Sequence, residues 1–175
     1  MVELLIALMN ANRPSVGEVG QLPMRIHTYA GGGDVQTHPD VAPGAPLREC
    51  IVVEVDELVY RVGDEAALDI EQTVFALFGE EPGHVIRHHC REIAVTVSYA
   101  GQDQKFSVHP AEHVKRLQKR AAKAFQLDAA TSADLAMRLP GATTDLVASY
   151  PIGAYVPRGT CAVTVDLIHV TRPQG

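Results

Sequence analysis

The chain has 175 residues, 46% of them hydrophobic and 21% charged, which suits ordinary cores and argues against wholesale disorder. A formal net charge of −6 argues against nucleic acid or an anionic membrane as a general partner. The three cysteines, Cys50, Cys90 and Cys161, stand at no recognisable spacing and read as reduced thiols of a cytoplasmic protein.

Val2–Asn10 reads as a short helix. Its apolar run, Val2–Met9, is too short to span a bilayer and lacks a basic leader or a cleavage site. Glycine and proline then crowd the segment up to Leu47: Gly31-Gly32-Gly33, Pro39, Pro43-Gly44 and Pro46. Residues 31–47 read as a linker, with Met24–Tyr29 as an extra strand, so that residues 1–47 form a partly disordered N-terminal arm. Gly31-Gly32-Gly33-Asp34 lacks the strand-turn-helix context of a nucleotide loop.

Residues 48–90 read as a small unit. Ile51, Val53 and Val55 alternate, Asp56-Glu57 turns the chain, and Leu58, Tyr60 and Val62 alternate on the return, predicting a hairpin. Ile70, Val74, Phe75 and Phe78 share a helical face that ends at Gly79 and Pro82-Gly83, and Val85-Ile86 starts another extended run. So short a unit is marginal alone and is expected to pack on its neighbour.

The pattern is clearest over residues 91–168. Ile93, Val95 and Val97 alternate with small or polar residues, Ala100-Gly101-Gln102-Asp103 turns, and Lys105–Val108 alternates again. A helix is predicted after His109-Pro110, proline suiting a first helical position. Val114, Leu117, Ala121 and Phe125 form its apolar stripe, and Thr131–Asp134 breaks it. Leu135–Leu139 reads as a third strand, residues 142–159 as a turn-rich connection, and Cys161–Leu167 as the last strand. Residues 169–175 then read as a flexible C-terminal tail. Hairpin, helix and strand thus occur twice, about 42 residues apart, as a topological repeat.

This order resembles ubiquitin. Glu112-His113-Val114-Lys115, Leu139-Pro140-Gly141 and Pro151–Leu167 resemble its helix, its third-strand turn and its crossover with the final strand. The resemblance implies an α+β fold: a β-grasp (ubiquitin-like) C-terminal domain preceded by a shorter β-grasp-like unit. The layout looks most like the tandem ubiquitin-like proteins of bacterial conjugation operons. It implies a protein modifier that is not an enzyme, carries no cofactor, and is activated at Gly175 and conjugated to target proteins, in an antiphage setting. Its expected partners are an activating enzyme, a conjugating enzyme and a deconjugating protease. The alternatives are a non-conjugated β-grasp adaptor and, more remotely, a sulfur carrier, against which Gln174 counts because those resemble ubiquitin in ending on paired glycines.

The candidate conjugation residue is Gly175, whose lack of a side chain lets a tail thread a narrow enzyme channel. Candidate binding residues are Lys115, Arg116 and Lys119 on the outer side of the helix, Arg138 on the outer sheet face, and Arg172 in the tail. That sheet face carries small and polar residues where ubiquitin has an apolar docking patch. Ten acids against Arg61 and Arg87 make residues 49–90 acidic, and their complementarity with the basic helix predicts weak self-association. In a strand, His84, His88 and Cys90 share a face. No fourth ligand is fixed by spacing, so the reading is a polar connector with no metal.

Overall fold

The computed structural model describes residues 22–170; the helix expected over Val2–Asn10 and residues 171–175 lie outside that range. The first unit contains β1 (Met24–Ala30), β2 (Asp34–Val41), a one-turn helix α1 (Leu47–Cys50), β3 (Leu58–Arg61), α2 (Val74–Phe78) and β4 (Gly83–His88). The second contains β5 (Ile93–Tyr99), β6 (Gln102–Val108), α3 (Val114–Ala124), α4 (Ala129–Ala133), β7 (Leu135–Arg138), a 3₁₀ turn at Ile152–Tyr155, and β8 (Ala162–His169). The two sheets have one topology, β2-β1-β4-β3 and β6-β5-β8-β7. In each the last long strand is central, parallel to the first and antiparallel to the third. Both units are therefore β-grasp folds, and the chain is of the α+β class.

The second sheet follows the alternation of its sequence. Val95 pairs with Val163 and Val97 with Val165, so apolar residues meet on one face. Ile93, Val95, Val97, Met137 and Val165 are almost wholly buried. The helix α3 covers them with Leu117 and Ala121, both inaccessible to solvent. It starts at Val114, later than proline placement implies, because residues 110–112 are engaged elsewhere: Ile152 N–H donates to Glu112 O and Gly153 N–H to Pro110 O. The predicted break at 131–134 is instead the end of a short helix, α4. Asp128 caps it by accepting from Thr131 N–H at 2.7 Å. The strand β8 runs two residues further than expected, and Leu135 pairs with His169, which removes His169 from the tail.

The first unit departs further from expectation. The glycine-rich stretch is not a linker: Gly32 and Gly33, both at positive φ, turn β1 into β2. Residues 51–55 form no strand, and β3 pairs with β4 instead of with them. The helical turn is also shorter than its apolar face suggested, because Ile70 and Gln72 carbonyls accept from Arg48 and Leu47 N–H. The same pair of bonds recurs in the second unit, where Val114 N–H donates to Tyr150 O and Lys115 N–H to Ala148 O. A whole β-grasp is thus present, with its main helix cut from 11 residues to 4.

That shortening has a cost in the core. At the sheet positions equivalent to Val97 and Leu167 stand Thr28 and Arg87. Both are buried, and Thr28 Oγ1 has no hydrogen-bond partner. The loop after α1 supplies counter-charge in place of a helix, with Glu57 2.8 Å and Glu54 3.7 Å from the Arg87 guanidinium, and Asp34 at the start of β2 adds a third carboxylate at 3.9 Å. A buried guanidinium is tolerated only when paired in this way.

The two units meet through the outer face of the first sheet. Tyr29, Tyr60 and Ile86 pack on Ala111 and Ala154 of the second unit, with Tyr150 and Tyr155 alongside. Gly32 and Gly33 N–H donate to Val156 O and Ala154 O, each at 2.8 Å, and Gly63 N–H to Ala111 O at the same distance. Arg158 reaches back to Asp34 at 3.0 Å. Cys90 and Cys161 form a disulfide between the end of the first unit and the start of β8, which corrects their reading as reduced thiols; Cys50 is the free cysteine.

Candidate functional site

Two surfaces of the second unit remain open among the described residues. The first is the outer face of its sheet, on which Ala94 faces Ala162 and Thr96 faces Thr164. Ala94, Ala162 and Thr164 are exposed, and Tyr155, Leu139 and Lys105 border a shallow depression beside them. Arg138 lies on this face, but its Nε donates to Asp145 at 2.6 Å. Its guanidinium is a bridge to the neighbouring turn and is not a free binding group.

The second surface is the outer side of α3, where Lys115, Arg116, Lys119 and Lys123 are exposed. Arg120, on the same helix, is tied down by two 3.0 Å bonds to the buried Glu112 carboxylate and covers the Phe106 ring. The basic row and Arg138 occupy opposite sides of the sheet, so the structure does not gather the expected binding residues into one site. Arg172 and Gly175 lie outside the described residues, beyond the point where β8 leaves the sheet. Its last strand residue, His169, meets the Tyr99 hydroxyl at 3.0 Å, and Val170 N–H donates to Asp134 O at 2.7 Å.

The outer face of the first sheet is the counterpart of this open face, and its centre, at Tyr29, Tyr60 and Ile86, is covered, while Arg25 and His84 at one end stay exposed. Its polar groups are histidines held among tyrosines. His84 stacks on His27 and its Nδ1 lies 3.1 Å from the Tyr29 hydroxyl. The His109 ring meets the Tyr60 ring edge-on at 4.5 Å. The packing of the first unit on its neighbour was expected from its small size, but the face that it uses was not identified; the spacing of His27 and Tyr29 and of His84, Ile86 and His88 was its signal, a strand face too aromatic and apolar to be wholly solvated.

Burial pushes the imidazoles of His84, His88 and His109 below the ordinary histidine range, and His89 adds to the effect at His88. A lowered folded-state value means that the unfolded chain binds more protons in the interval between the two values. The stability from these residues is complete above the unfolded value of about 6.5 and is lost as pH falls through the folded values. The urea midpoint should therefore fall between about pH 7 and pH 5, and His88→Gln should flatten that slope. A midpoint that is level or rises on acidification would show that these rings do not resist protonation.

The fold defines the class: a protein of two joined ubiquitin-like units. The family model for BilA ubiquitin-like domain 2 matches residues 94–170. Solved structures similar to part of the chain include three ubiquitin-like proteins. The N-terminal ubiquitin-like domain of the 4931431F19Rik protein is 19% identical over 49% of this chain and 81% of its own, with a TM-score of 0.37. The ubiquitin of Caldiarchaeum subterraneum is 11% identical over 47% and 98%, at 0.36. A designed protein based on ubiquitin is 15% identical over 49% and 96%, at 0.38. No curated protein sequence matches the chain. No helix among the described residues is long and apolar enough to cross a membrane.

Proposed function

We propose that this protein is a ubiquitin-like modifier, joined to target proteins through the carboxylate of Gly175 in a bacterial, antiphage conjugation pathway of the cytoplasm. The observation that carries the reading is the second unit: a complete β-grasp, similar to a ubiquitin-like family domain, whose central strand β8 ends at His169, a few residues before Gly175 in the sequence. The chain is then a reactant and not a catalyst. An activating enzyme adenylates the carboxylate and passes it to a cysteine as a thioester, a conjugating enzyme delivers it to an amine, and a protease reverses the bond. The row Lys115, Arg116 and Lys119, together with Arg172, docks an acidic enzyme surface and sets the approach of the terminus.

The test uses the full-length chain with its cognate activating enzyme and ATP. An adduct that thiol reductants release is expected, and deletion of Gly175 should abolish it while the circular dichroism spectrum stays unchanged. An adduct that survives the deletion overturns Gly175 as the reacting residue. A full-length chain that forms no adduct favours the adaptor reading, in which the open sheet face binds partners without conjugation.

A further inference from the structure

The joint between the units holds four soft or borderline ligands. Cys90 follows β4 and Cys161 precedes β8; their Cα atoms lie 5.8 Å apart although 71 residues separate them in sequence. The ligating atoms of His88, His89 and Cys90 all lie within 4.8 Å of one another. His89 Nε2 lies 3.8 Å from Cys161 Sγ. The two imidazoles are parallel, at 5.0 Å and 8°. His88 and Cys90 are buried, whereas His89 faces the solvent from which an ion would enter.

This spacing is close to that of a tetrahedral zinc site. Zn–S bonds of about 2.3 Å and Zn–N bonds of about 2.0–2.1 Å put a sulfur and a nitrogen about 3.5 Å apart around the ion. The sulfur–sulfur bond is the feature that excludes a metal, and reduction removes it. Arg87, next to His88 in sequence, is already matched by Glu57 at 2.8 Å. Cys90 Sγ lies 3.3 Å from Thr160 O, a weak contact that its thiolate gives up at little cost, and His89 Nε2 already faces Cys161 Sγ. His88 is different: its Nδ1 accepts from Cys90 N–H at 3.0 Å, so recruiting its ring costs that bond.

We propose that the reduced thiolates of Cys90 and Cys161, with His89 and His88, bind one Zn²⁺ ion, so that the joint between the units is closed by a disulfide or by a metal but never by both. The two states interconvert in balance. A dithiol gives two electrons and two protons to the sulfur–sulfur bond and leaves as its own disulfide. Zinc then displaces the two thiol protons. A reducing compartment favours the metal, an oxidising one the disulfide. The local run His88-His89-Cys90 is short of ligands by itself; Cys161, brought in by the fold from the start of β8, completes the set.

The test uses the full-length chain, stripped with a chelator, reduced with a phosphine and titrated with Co²⁺ without oxygen. One equivalent is expected to give thiolate-to-cobalt charge-transfer absorption, which Zn²⁺ abolishes by displacement. The same chain left oxidised should give none. Loss of an outer partner of a ligand costs up to about 100-fold in affinity, so loss of a ligand itself, in Cys161→Ser or His89→Ala, should cost more than that. His88→Ala should cost less than His89→Ala. Absence of the charge-transfer band in the reduced wild-type chain overturns the proposal without any variant. So does equal binding by the oxidised chain, or wild-type affinity in Cys161→Ser.

Discussion

Replacing Leu117 by alanine is expected to lower the unfolding free energy by about 2–5 kcal/mol. Leu117 is inaccessible to solvent and sits where α3 lies on the sheet, within the cluster formed by Val95, Val97, Met137, Val165 and Leu167. The loss has two parts, the transfer free energy of the removed carbons and the cavity left where a strand and helix cannot close up. Lys119→Ala, two residues on and exposed, should change stability by no more than about 0.5 kcal/mol. Phe125 is only half-buried, against the expectation that it closes the apolar stripe, so Phe125→Ala should cost less than Leu117→Ala. A urea titration decides: equal losses for Leu117→Ala and Lys119→Ala would mean that the phase of the helix is wrong.

The second large effect is expected at Gly153, in the 3₁₀ turn that fills the joint between the units. A Cβ there would stand 2.7 Å from Ile86 Cδ1, 2.9 Å from Pro110 Cβ and 2.9 Å from Pro110 O. Ile86 could swing its terminal carbon away, but the Pro110 carbonyl is backbone, and it accepts the Gly153 N–H bond at 3.0 Å. Relief therefore requires moving either the 109–113 segment or the whole first sheet. Gly153→Ala should cost about 1–3 kcal/mol, the range for an overfilled site, and Gly153→Val more. Gly44→Ala, with nothing within 4 Å of its added carbon, is the matched control and should be near neutral. Amide exchange should rise at Tyr29, Tyr60 and Ile86 in the Gly153 variants. If Gly153→Ala behaves like Gly44→Ala, the close packing of the joint is refuted.

The second unit was legible because its strands alternate against a single helix. In β5 and β8 the residues Val95, Val97, Val163 and Val165 follow the two-residue period, and all of them are buried. The first unit hid the same fold for identifiable reasons. Its second strand, β2, is an edge strand with little to bury, and Pro39 within it reads as a breaker although an edge tolerates it. Its main helix is a single turn, too short to show any period. The false strand at 51–55 had real alternation, yet Val52 and Val55 are fully or largely exposed, because alternation without a partner strand is only composition. The pairing of Cys90 with Cys161 was beyond sequence reach, since it depends on two units docking across 71 residues. Of the candidate site, the exposure of Lys115, Arg116 and Lys119 followed from helical phase. The engagement of Arg138 by Asp145 did not, because the turn that carries Asp145 has no pattern of its own.

The covered face of the first sheet sets the valency of the molecule. A partner that reads the outer side of a β-grasp sheet would count two such faces in a pair of freely strung domains. Here it finds one, since the other is spent on the joint. Each copy of the chain is then a monovalent token despite its duplicated fold. Any gain in avidity must come from placing several copies side by side, and not from the two units within each copy.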